Sequence, residues 1–150
     1  MIVRQLTTED FEDAHALYKE LVGDISVPDG SEGQARFQEI LDHPGTFVIG
    51  AEHDGHVRAM VTLHILPNMT FGGRSYAVIE NVVTARAMQG RGLGRAVMED
   101  AVNRAWGAGA YKVMLLTGQT AQAKGFYERI GFNASDKHGM ILRRAPQRTP

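Results

Sequence analysis

MQGRGLGRAVMED, residues 88–100, places glycines at positions 90, 92 and 94 and then none until Gly107. A glycine held inside a regular element costs about 0.5–1 kcal/mol relative to alanine. Glycines at alternate positions ahead of a helix-forming run therefore need a reason in the backbone. Upstream, YAVIENVVT (76–84) is rich in valine and isoleucine and reads as a strand. Downstream, Leu93, Val97, Ala101 and Ala105 share one helical face, and the helix stops near Gly107 and Gly109. The glycines thus occupy a turn from strand to helix, the unit of an α/β protein.

Outward from this turn, residues 1–6 are short and apolar with Arg4 interrupting, the pattern of a first strand. Thr8 is placed to cap a helix whose first turn carries Glu9 and Asp10. Phe11, Ala14, Leu17, Tyr18, Leu21 and Val22 form its apolar stripe. Residues 23–30 hold Gly, Pro and Asp and read as a loop, and a more polar helix then runs from Ser31 to about His43. Residues 46–51 and 57–65 read as strands joined through Asp54-Gly55, a strong hairpin signal. Residues 111–116 look like a strand covered on both faces. Residues 120–130 read as a short helix stopped by Gly131, Phe132 and 140–142 as two final strands, and 145–150 as a frayed tail. With no internal repeat or linker, this predicts one domain over 1–150, a mixed sheet with helices on both faces.

The chain has 150 residues, 43% of them hydrophobic and 22% charged. A formal net charge of -1 gives no basic footprint and argues against nucleic acid or an anionic membrane as partner. The absence of cysteine rules out disulfides and thiolate zinc sites. The first residues lack a secretory pattern, and no eighteen consecutive residues are apolar, so a cytoplasmic location is expected. Of the histidines, His53 and His56 flank the hairpin turn with no third ligand in view, so no metal site is expected. His64 lies in a strand and reads as a solvated or core-satisfied residue.

Spacing separates the glycine-rich phosphate motifs. A P-loop needs Lys and Ser/Thr after its last glycine, where this chain has Arg95 and Ala96. A dinucleotide fingerprint needs a third glycine at position 95, which is arginine. What remains is a Q-x-x-G-x-G turn, Gln89 to Gly94. Bare main chain there lets a large ligand approach, and the helix N-terminus offers unpaired N–H groups and about half a positive charge. Arg91 and Arg95 add charge at the rim.

IENVVT (79–84), QGRGLG (89–94) and FYERIGF (126–132) together resemble the GNAT superfamily of acyl-CoA-dependent N-acyltransferases, over nearly the whole chain. The resemblance implies a mixed, mostly antiparallel twisted sheet of about seven strands with helices on both faces. It also implies acetyl-CoA as co-substrate, with no metal. Carried over, the turn opened by Gln89 and formed by Gly90, Arg91, Gly92, Leu93, Gly94 and Arg95 holds the pyrophosphate of coenzyme A. The main chain of Val82, Val83 and Thr84 lines a gap where the strand splays from its neighbour, and one N–H there polarises the thioester carbonyl. Phe126 packs against the pantetheine arm or the core. Thr120 stands where relatives often have a cofactor-contacting asparagine, and it reaches less far. Tyr127 matches the tyrosine that protonates the departing thiolate in many relatives.

Glu80 matches a glutamate of several members, including glucosamine-6-phosphate N-acetyltransferases. Alternation puts Val78, Glu80 and Val82 on one strand face, where burial would make the carboxylate a better base acting through water. The amine would enter between residues 23–30 and 67–74, with Asp24 and Asp29 suited to a cation and Arg74 to a phosphate or carboxylate. The expected activity is transfer of an acetyl group from acetyl-CoA to a primary amine of a small molecule, by direct attack through a tetrahedral intermediate. An amino-sugar phosphate acceptor, a catalytically silent acyl-CoA-binding or sensory domain, and a protein or peptide N-terminal acetyltransferase stay open as alternatives. So does a homodimer, common among relatives.

Overall fold

The computed structural model describes residues 1–144, the side chain of Ile25 excepted. The tail at 145–150, expected to fray, lies outside the described residues. Contacts divide the chain into two compact units, Met1–Leu115 and Leu116–Pro150.

The first unit runs β1 (Ile2–Gln5), α1 (Phe11–Val22), α2 (Gly30–Asp42), β2 (Thr46–His53), β3 (His56–Leu66), β4 (Tyr76–Thr84), α3 (Leu93–Gly107) and β5 (Val113–Met114). The sheet order is β1-β2-β3-β4-β5, antiparallel throughout except for β5, which lies parallel to β4. Asp54 and Gly55 both hold positive φ, 52° and 76°, the turn an Asp-Gly hairpin needs. Thr7 rather than Thr8 is the cap, at the head of a short 3-10 turn, Thr8–Asp10, that leads into α1: its N–H donates to Asp10 Oδ2 at 2.8 Å. Arg4 reaches both oxygens of Asp10, at 2.9 and 2.8 Å, and Glu52 at 3.1 Å, tying β1 and β2 to the entry of α1.

Cross-strand pairing and alternation place Thr46, Val48 and Gly50 of β2, Met60, Thr62 and His64 of β3, and Val78 and Glu80 of β4 on one face of the sheet. Helices α1 and α2 cover that face, with Phe11, Ala14, Leu17 and Phe37 packed on Val48, Met60 and Val83. Ile49, Val61, Leu63 and Ile79 point the other way and are fully buried or nearly so. Helix α3 packs on β2, β3 and β4 through Val97, Met98, Ala101 and Ala105, and contributes nothing to the α1–α2 cluster. Each large aliphatic side chain so buried contributes about 1.5–3 kcal/mol.

Among the described residues there are five strands, not about seven. The run at 111–116 pairs only over Val113–Met114, and Met114 is 39% exposed, so this strand is not covered on both faces. Phe132 and 140–142 lie outside any strand. Asn133 Oδ1 takes the Ser135 N–H at 2.7 Å and its hydroxyl at 2.8 Å, closing a local turn directly after Phe132. None of the described helices is long and apolar enough to cross a membrane.

The second unit holds α4 (Ala121–Arg129). The Thr120 hydroxyl caps it by accepting from Ala123 N–H at 3.2 Å. At its far end Phe132 N–H donates to Tyr127 O and Gly131 N–H to Glu128 O, with Gly131 at φ 102°. This is a Schellman cap, and its customary apolar contact is the edge-on pair Tyr127–Phe132, centroids 6.1 Å apart. The FYE-x-x-GF motif is thus a helix end that fixes a tyrosine.

Candidate active site

β5 pairs with β4 only at Ala77↔Val113 and Val78↔Met114. From Ile79 to Thr84, β4 runs on with no strand beside that edge among the described residues. On its other side β4 carries a bulge. Met60 faces Val83 and Thr62 faces Glu80, so Asn81 and Val82 together oppose Val61. Asn81 takes φ 52°, the left-handed region that asparagine tolerates better than most residues.

The extra residue reverses the hydrogen-bonding parity of the strand. Before it, Ala77 N–H donates to Lys112 O at 3.0 Å, on the β5 side; after it, Ala85 N–H donates to Arg58 O at 2.8 Å, on the β3 side. Stepping back by two residues, Val83 N–H also faces β3, which leaves Val82 and Thr84 N–H facing the open edge. The expected row of Val78, Glu80 and Val82 on one face does not hold. The bulge turns Val82 away, and Val83 takes its place beneath α1. Asparagine is depleted in strands, so its presence inside IENVVT was the available signal.

After a short turn at Arg86–Met88 the chain reaches the glycines. Gly90 and Gly92 hold φ 77° and 83°, and a Cβ at either would meet nothing within 4 Å, so backbone conformation and not crowding demands glycine. Gly92 caps α3, and the N–H groups of Leu93, Gly94 and Arg95 fall in its first turn without intrahelical acceptors. The Leu93 side chain is buried in the core, leaving its main chain for the turn. Arg91 is exposed, and Arg95, also exposed, pairs with Glu99 at 2.7 Å, a contact weak enough to exchange for a phosphate.

A cavity of about 200 Å³ brings together Val82, Val83, Thr84 and Gln89 with Glu20, Leu21 and Arg86. A second, about 320 Å³, is lined by Ala16, Lys19, Glu20, Asp24 and Arg86. Glu20, which no motif or spacing singles out, accepts from Arg86 N–H at 3.0 Å and ties the end of α1 to the exit of β4. Arg74 is committed elsewhere, donating to the carbonyls of Gly109 and Ala110 at 3.2 and 3.3 Å at the end of α3. Asp29 is the N-cap residue of α2.

Glu80 is exposed, not buried, and sits opposite Thr62. Thr62 is itself buried and its hydroxyl hydrogen-bonds the phenol oxygen of Tyr18, whose pKa burial pushes above its ordinary value. On the same face Thr46 Oγ1 lies 2.9 Å from His64 Nδ1 and 3.2 Å from His43 Nδ1. The sequence drew attention to His64 alone. His56 pairs with Asp13 at 3.2 Å, and among the described residues no three His, Cys, Asp or Glu side chains gather as a metal would need.

Thr120, Phe126 and Tyr127 belong to the second unit. Phe126 and Tyr127 meet edge-on at 5.0 Å, and burial pushes the Tyr127 phenol up from its usual pKa. A buried phenol with a raised pKa stays protonated through neutral pH and can serve as an acid.

A solved structure from Agrobacterium tumefaciens strain C58 is 40% identical, with a TM-score of 0.89 over 96% of this chain and 100% of that one. The glucosamine 6-phosphate N-acetyltransferase of Trypanosoma brucei brucei is 35% identical over 55% of this chain. Glucosamine 6-phosphate N-acetyltransferase 1 of Oryza sativa subsp. japonica is 35% identical over 66% of it. The matches span 55% and 61% of the length of those two curated relatives. The sequence model described as the acetyltransferase (GNAT) family matches residues 3–132. With most of the chain inside that match, and with an opened strand edge leading into a glycine turn, the protein belongs to the GNAT family of acetyltransferases.

Proposed function

We propose that the protein is an acetyl-CoA-dependent N-acetyltransferase acting on the primary amine of a small molecule. The observation that carries this reading is the bulge at Asn81, which aims the Val82 and Thr84 amides at an open strand edge just ahead of the Gly90–Arg95 turn. A diphosphate fits that turn: first-turn amides of α3, open space at Gly90 and Gly92, and two exposed arginines. Acetyl-CoA supplies a thioester; the remaining tasks fall to the protein. An amide of the open edge donates to the carbonyl oxygen as negative charge grows there, a contact worth about 10²–10³ in rate. Glu80, exposed at the same strand, takes a proton from the incoming ammonium through water. Tyr127 gives a proton to the departing thiolate. Of the two protons the amine loses, one ends on coenzyme A and the other leaves to solvent.

The names of the two curated relatives favour a phosphorylated amino sugar as the first acceptor to try. Calorimetry with acetyl-CoA, followed by a thiol-release assay over amino-sugar phosphates, free amino sugars, polyamines, amino acids and peptides, tests the proposal. Thiol release with a small amine supports it. Binding without release from any amine leaves an acyl-CoA-binding domain, and no heat at millimolar acetyl-CoA removes both readings.

A further inference from the structure

His43, Thr46 and His64 come from three elements: the end of α2, the start of β2, and β3. One hydroxyl joins them, with Oγ1 of Thr46 at 2.9 Å from His64 Nδ1 and 3.2 Å from His43 Nδ1. Thr46 is 5% exposed, His64 is half-buried and His43 is exposed, so the chain of bonds leads outward. Its inner end lies on the face that carries Glu80. His64 pairs across to Val78 and Glu80 to Thr62, which makes His64 and Glu80 diagonal neighbours, about 7–8 Å apart for that geometry. The titratable groups that strand register and hydrogen bonds bring near His64 are its two diagonal neighbours on β4, Glu80 and Tyr76, with Tyr18 of α1 on Thr62 and His43 at the end of α2.

We propose that His64, Thr46 and His43 form a proton relay that carries the net proton of acyl transfer away from Glu80 once the amine covers it. This rests on the acetyltransferase reading. A threonine hydroxyl has one proton, so it donates to one imidazole and accepts from the other. The two neutral rings must therefore be opposite tautomers. A proton arriving at Nε2 of His64 releases Nδ1–H to Thr46, Thr46 passes its own proton to Nδ1 of His43, and His43 gives up Nε2–H to water. No atom is left over, and exchange of both rings with water restores the starting tautomers. Gly45, at φ 80°, turns the chain so that His43 and Thr46 meet, with Thr46 N–H donating to His43 O at 3.1 Å.

The test measures thiol release with acetyl-CoA and the best amine of the acceptor panel, for wild type, Thr46→Val, Thr46→Ser and His43→Ala. Thr46→Val and His43→Ala should lower kcat about tenfold, a fraction of what direct acid–base groups supply, with KM for acetyl-CoA unchanged. Thr46→Ser should recover most of the loss, and imidazole buffer should rescue His43→Ala, whose site is exposed and open to it. Wild-type kcat in Thr46→Val, or Thr46→Ser as slow as Thr46→Val, overturns the relay and leaves acetyl transfer standing. No thiol release by wild type with any amine removes the acetyltransferase reading and the relay's purpose with it. Independently of activity, nitrogen NMR should find the two neutral rings in opposite tautomers; the Nε2–H form in both would disprove the hydrogen-bonded chain.

Discussion

Asn81 sits where a strand needs one residue more than its partner and a backbone that few side chains accept. Asn81→Gly should be close to neutral, whereas Asn81→Val should cost about 1–2 kcal/mol in denaturant unfolding for its left-handed backbone. The valine variant should also weaken acetyl-CoA in calorimetry, because the Val82 and Thr84 amides would lose their aim. Glu80 was recognisable as a chemical group, but not its surroundings: its exposure follows from register and bulge, which depend on β3 and not on its own neighbours. If Glu80 is the base, Glu80→Gln should lose about 10²–10⁴ in rate; full turnover across pH would remove that role. Tyr127→Phe should slow turnover far more than it weakens acetyl-CoA binding. With burial holding the phenol pKa up, its acidic contribution should survive into mildly alkaline solution and fall only as pH rises through that elevated value.

Helices with strong periodicity and the Asp-Gly hairpin were legible as elements, because each is set by residues close in sequence. Terminal strands were not, since a strand exists only where a partner edge is present, and Asn133 satisfies its neighbours locally instead. The turn between α2 and β2 shows the same dependence on distant contacts. A Cβ on Gly45 would lie 2.6 Å from the Ile65 carbonyl oxygen, at φ 80°. Gly45→Ala should therefore destabilise the protein by about 2–4 kcal/mol, combining left-handed strain with crowding, and should disturb the His43–Thr46 contact. On the neighbouring edge strand β1, the Arg4 hydrogen bonds, its charge and the Thr7 N–H hold the Asp10 carboxyl below the usual range. A depressed carboxylate stabilises the fold above its unfolded pKa and loses that contribution as pH falls through the folded value. Thermal unfolding between about pH 5 and 2, the range of carboxylate titration, should show a loss of Tm that Asp10→Asn largely removes.

For the molecule as a whole, the glycine turn ties ligand binding to stability. The turn was the most legible part of the site, because Gly-x-Gly spacing before a helix acts through backbone conformation that sequence fixes directly. The polar face beneath α1 was the least legible, because it joins residues from five separate elements. A ligand that binds only the folded chain at about 100 times its Kd adds about 2.7 kcal/mol. For a chain of this size each kcal/mol moves Tm by about 2–4 °C, so acetyl-CoA should raise Tm by about 5–10 °C. Gly92→Val places a β-branched residue at φ 83° on the N-cap of α3, so its own Tm will be lower, and the increment on adding acetyl-CoA is the quantity to compare. That increment should vanish in Gly92→Val and shrink with added salt in wild type, since the turn grips an anion through helix-end amides and two exposed arginines. An undiminished increment in Gly92→Val would place the diphosphate elsewhere and leave the glycines as a plain strand-to-helix turn.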